Sequence, residues 1–131
     1  MIATVLSPVE LAQRKHRSLD VIITTLRMKT PALKTPEFVG ALRLLLRRAR
    51  AEKGFLDSQI TADVDDPSAI YYEERWKSRV ELEEQVRSSR YTQLLALMES
   101  ASETPTLEFH FVSDTRGLDF IEAARGKERT C

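Results

Sequence analysis

The sequence predicts an α+β fold of the ferredoxin-like kind, βαββαβ, with a four-stranded antiparallel sheet, both long helices on one face and a short extra helix at each end. Three observations carry this. Four stretches read as strands, and two long amphipathic stretches fall between them in the order strand, helix, strand, strand, helix, strand. Ser78-Arg79-Val80-Glu81 is a capping box that joins the third strand directly to the second long helix. Both crossovers must be right-handed, and interleaving two of them gives the strand order 4-1-3-2. That arrangement leaves one sheet face bare, either as a binding platform or as a dimer interface.

Taken in order, Ser7-Pro8-Val9-Glu10 opens a short helix over Pro8–His16, within an N-terminal extension covering residues 1–18. Leu19–Met28, rich in Val, Ile and Thr and closed by Thr30-Pro31, is the first strand and begins a domain spanning 19–113. Thr35-Pro36-Glu37 opens a helix that runs to Lys53 and stops at Gly54. Phe38, Leu42, Leu45, Leu46 and Ala49 form its apolar face. Arg43, Arg47, Arg48 and Arg50 lie off that face, as an anion site or, more simply, a solvated surface near the negative helix end.

Phe55–Val64 is the second strand, and Asp65-Asp66-Pro67-Ser68 is a turn that leads into the third, Ala69–Ser78. The second long helix continues from Ser78 to Met98. After Thr104-Pro105, Thr106–Val112 alternates as the fourth strand. A C-terminal tail over 114–131 holds a short helix, Gly117–Ala124, ended by Gly126.

Composition narrows the function classes. A chain of 131 residues suits one domain. Its 20 basic and 20 acidic residues cancel, so nothing favours nucleic acid or an anionic membrane. The first strand carries no aromatic and the third no glycine, against the pattern of an RNA-recognition module. The one cysteine, Cys131, excludes an intrachain disulfide and a cysteine zinc cluster, and two distant histidines give no metal site. No apolar run approaches the length of a membrane span, and Met1–Leu6 does not read as a signal peptide, so a cytoplasmic protein is expected.

The third strand concentrates the chemistry. Alternation puts Ile70, Tyr72, Glu74 and Trp76 on one face, a carboxylate between two aromatics. The run Glu74-Arg75-Trp76-Lys77-Ser78, with Leu82 and then Arg90-Tyr91-Thr92-Gln93-Leu94, resembles the antibiotic biosynthesis monooxygenase family. That family's third strand ends in Glu-x-Trp-x-Ser before a helix with leucine four residues after the serine and histidine three further on. The resemblance covers about Leu19–Val112.

The resemblance implies a homodimer whose bare sheet faces pack into an α/β barrel, with a pocket between sheet and helices in each subunit. It also implies oxidation of quinols or phenols without metal, flavin or any other cofactor. Glu74, Trp76 and Ser78 match the family's positions, whereas Gln85 stands where its helix histidine would be. Glutamine hydrogen-bonds a substrate but cannot accept a phenol's proton.

The expected function is therefore a cofactor-independent monooxygenase acting on a small quinol or phenolic aromatic. The alternative is a non-catalytic dimer of the same fold that binds a small ligand or another protein. Glu74 and His110 are the candidate catalytic residues. Tyr72, Trp76, Gln85 and Arg90 are the candidate substrate-binding residues. Each has a structural alternative: Trp76 as a core residue, His110 as a hydrogen-bonded strand residue, and Glu74 in an ion pair with a helix arginine such as Arg90.

Overall fold

The structure, a computed structural model, describes residues 21–130, with residues 127–130 described by backbone alone. The helix expected over Pro8–His16 lies outside the described residues. The elements are β1 (Val21–Lys29), α1 (Thr35–Ala49), β2 (Phe55–Ala62), β3 (Ala69–Trp76), α2 (Arg79–Val86), α3 (Ser89–Glu99), β4 (Thr106–Val112) and α4 (Leu118–Thr130). Residues Val21–Phe111 form one compact unit, and the chain from Val112 onward belongs to a second.

The sheet is four-stranded and antiparallel in the order β2-β3-β1-β4, as interleaved right-handed crossovers require. In the β1–β3 register, Ile22 opposes Trp76, Thr24 opposes Glu74 and Leu26 opposes Tyr72. Alternation then sends Ile22, Leu26, Met28, Ile70, Tyr72 and Trp76 to the helical side, where they pack with Phe38, Leu42 and Leu45 of α1, Leu82 of α2 and Leu94 of α3. The opposite side of β1 and β3 carries Thr25, Arg27, Tyr71, Glu73 and Arg75, none of them fully buried.

The helix after β3 is two helices, where the sequence predicts one. Ser78 caps α2, accepting from the Glu81 N–H at 3.3 Å. Glu81 returns to the cap by accepting from the Ser78 hydroxyl at 3.1 Å, rather than by reaching the serine N–H. At Arg87 the first helix ends and Ser88 starts another, its hydroxyl oxygen accepting from the Tyr91 N–H at 3.3 Å. A second cap satisfies donors that the break would otherwise orphan, and it turns Arg90 and Tyr91 toward the sheet.

Gly54 precedes β2 with φ of +87°, and a Cβ there would collide with the Glu81 carboxylate. Both facts require glycine at that position. Element ends also differ from expectation: β2 stops at Ala62, β3 at Trp76 and α1 at Ala49, each short of its predicted limit, while β1 runs one residue further, to Lys29. At the other end of the chain, α4 runs through Gly126 to Thr130 instead of stopping there. Gly126 has nothing within 4 Å of its Cβ position and no left-handed φ, so it sits in α4 as an ordinary helical residue.

Candidate functional site

The helical side of β3 closes around Glu74. Register and alternation aim this carboxylate inward at 1% exposure, and its backbone carbonyl accepts from the buried Thr24 hydroxyl at 3.5 Å. A bare carboxylate there would be prohibitively costly, so the neighbouring side chains supply donors. Trp76 Nε1 donates to Oε1 at 2.9 Å and the Tyr72 hydroxyl donates to Oε2. Arg90 completes the set as a fork, Nη1 to Oε2 at 2.8 Å and Nη2 to Oε1 at 3.2 Å. Each carboxylate oxygen therefore accepts two hydrogen bonds, which is its full capacity.

Arg90 is held in turn. Its Nε donates to Gln85 Oε1 at 3.0 Å, and its guanidinium lies 6.0 Å from the Trp76 ring centre and 5.9 Å from that of Tyr91. Burial alone would lower the guanidinium's pKa, but the hydrogen bonds and charge of Glu74 outweigh it and hold the pKa above its ordinary value. Burial, then the neighbouring carboxylate, pushes the Tyr72 phenol well above the usual tyrosine range; burial does the same for Tyr91. Tyr72 therefore keeps its proton and stays a donor to Glu74.

The fold thus brings together Tyr72, Glu74, Trp76, Gln85 and Arg90, all at 5% exposure or less. It does not bring His110 to them. Thr24 faces Glu74, its neighbour Thr25 points to the other side of the sheet, and His110 Nε2 lies 3.1 Å from the Thr25 hydroxyl. His110 is half-exposed on the bare face, 3.6 Å from Glu108.

Three cavities of about 270, 310 and 330 Å³ are lined by described residues, and none includes Glu74, Trp76, Gln85, Arg90 or His110. Tyr72 alone of the cluster lines one of them, the cavity of about 270 Å³. The residues that sequence reasoning missed are Ser88 and Tyr91. Their signal was present: Ser88-Ser89 in mid-helix, with an aromatic three residues after the first serine.

The fold is the α+β fold of the antibiotic biosynthesis monooxygenases. No protein-family model matches the sequence, and no curated protein matches it either. Solved structures do. A conserved protein from Methanosarcina mazei is similar at a TM-score of 0.67 and 18% identity, covering 74% of this chain and 97% of its own. SnoaB from Streptomyces nogalater, a cofactor-independent oxygenase, is similar at a TM-score of 0.64 and 11% identity, over 73% of this chain and 96% of its own. An antibiotic biosynthesis monooxygenase matches at a TM-score of 0.61 and 15% identity, over 73% and 99%. Identities this low show the shared fold and leave the chemistry to the residues. Among the described residues no helix is long and apolar enough to cross a membrane.

Proposed function

We propose that this chain is a non-catalytic, homodimeric small-ligand-binding protein built on the oxygenase fold. The observation that supports this most is the closed carboxylate: Glu74 accepts from Tyr72, Trp76 and twice from Arg90, and Gln85 accepts from Arg90 where a titrating group would be needed. Cofactor-free oxygenation needs a proton acceptor beside a phenol or quinol, so that the ionised ring can give an electron to dioxygen. A carboxylate with no acceptor position open cannot take that proton without first losing Arg90.

Dimerisation through the bare sheet face is the second part of the proposal. Cations and anions alternate there: Arg27 with Tyr71 and Asp63, and Arg75 with Glu73 and Asp57. Mixed charge of this kind can pair with its own two-fold image. A cytoplasmic location accords with both parts.

A second reading, a cofactor-independent monooxygenase acting on a small quinol or phenol, is favoured by the fold shared with SnoaB and by the convergence of Tyr72, Trp76 and Arg90 on Glu74. Glu74 or His110 would then serve as base. Oxygen uptake by metal-free protein with a panel of quinols separates the two. The proposal expects a rate equal to buffer; an acceleration abolished in Glu74→Gln or His110→Gln establishes the oxygenase instead.

A further inference from the structure

A groove between α1 and the edge strand β2 takes no part in the Glu74 cluster. Its volume is about 330 Å³, within the range of ligand sites. Arg43, Arg47 and Arg50 line it from the helix, Ser58 and Gln59 from the strand, and Leu46 and Ile60 at its apolar part. Steps of four and three residues put the arginines on one helix face, over about 10 Å of axis.

The four arginines that the sequence grouped together separate here. Arg48 bridges helices, donating from Nη1 to Gln93 Oε1 at 2.6 Å and from Nη2 to Ser89 Oγ at 3.2 Å. Arg43, Arg47 and Arg50 make no ion pair with any described carboxylate, and no acidic residue lines the groove. The helix dipole accounts for Arg47 in the last turn and Arg50 at the C-cap, but its reach does not extend to Arg43. Three exposed guanidinia on one helix face make a locally basic surface in a chain of zero formal charge.

We propose that this groove binds a small organic diphosphate, with its phosphates on Arg43, Arg47 and Arg50 and its organic part over Leu46 and Ile60. Guanidinium forks match phosphate oxygens in pairs, and the Ser58 hydroxyl adds a neutral donor. One phosphate monoester brings about −1.5 to −2 charges, so a diphosphate balances three guanidinia better. The groove shares no lining residue with the Glu74 cluster.

Calorimetric titration at low salt, with inorganic pyrophosphate and ADP as probes and adenosine and citrate as controls, tests this. Pyrophosphate and ADP bind saturably, more weakly as salt rises, and adenosine does not bind. Arg43→Gln/Arg47→Gln, folded by circular dichroism, loses affinity by about tenfold or more. Arg48→Gln keeps that affinity and has a lower Tm. Absence of saturable pyrophosphate and ADP binding, citrate binding as tight as pyrophosphate, or unchanged affinity in the double variant overturns the assignment.

Discussion

Replacing Arg90 by methionine isolates the energetic weight of the closed cluster. The substitution keeps an apolar stem of similar reach and removes three donors, two to Glu74 and one to Gln85. Glu74 then remains at 1% exposure with only Tyr72 and Trp76 to satisfy it. Stranding one member of a buried pair costs about 3–5 kcal/mol, against a total stability of about 5–15 kcal/mol for a domain. With about 4–8 °C lost per kcal/mol in a domain of this size, Tm should fall by about 12–40 °C. Glu74→Met alone strands the guanidinium and should be comparably costly, whereas Glu74→Met/Arg90→Met removes both charges and should recover all but about 1–2 kcal/mol. Urea unfolding at fixed protein concentration, followed through the fluorescence of Trp76, the one tryptophan in the chain, gives all three values. An Arg90→Met cost below about 1 kcal/mol would place the pair among solvated surface bridges and refute the reasoning.

Other outcomes follow from the same structure. Gly54→Ala should destabilise by about 1–2 kcal/mol through its left-handed φ alone, and by more because the Glu81 carboxylate must move; an unchanged denaturation midpoint contradicts this. Tyr72 and Tyr91 have raised folded-state pKa values, so their contribution is complete below the unfolded tyrosine value of about 10 and is lost as pH rises beyond it. Stability should therefore decline above about pH 10, less steeply in Tyr91→Phe, and tyrosinate absorbance from these two residues should appear only with unfolding. Light scattering should return twice the chain mass of 15.0 kDa, and Thr25→Lys on the bare face should shift the protein toward monomer. A monomer at every concentration removes the dimer proposal.

Strand order and face assignment were legible because they follow from periodicity and handedness. Alternation alone places Tyr72, Glu74 and Trp76 inward and Tyr71 outward, as observed. The helix break was harder: Arg87-Ser88-Ser89 contains neither Gly nor Pro, and a serine cap in mid-helix is easily read as a solvated position. The partner of Glu74 was named among alternatives, but its bidentate geometry depends on that break, which sets where Arg90 points. His110 illustrates the opposite limit. Alternation ranks residues within one strand, while the face that a strand histidine reaches depends on its neighbour's register, here fixed by contact with Thr25. The arginine groove was invisible because four arginines on one helix look equivalent until Arg48 finds Gln93 and Ser89 on α3.

Nitrogen-15 NMR of the arginine side chains reads the occupancy of the Glu74 carboxylate most directly. With Arg90 clamped between Glu74 and Gln85, its Nε–H and individual Nη–H signals should be resolved, slow to exchange with water and lost as a set in Glu74→Gln. A single averaged, rapidly exchanging Nη signal for Arg90, indifferent to Glu74→Gln, would mean that the carboxylate is open to a substrate's proton.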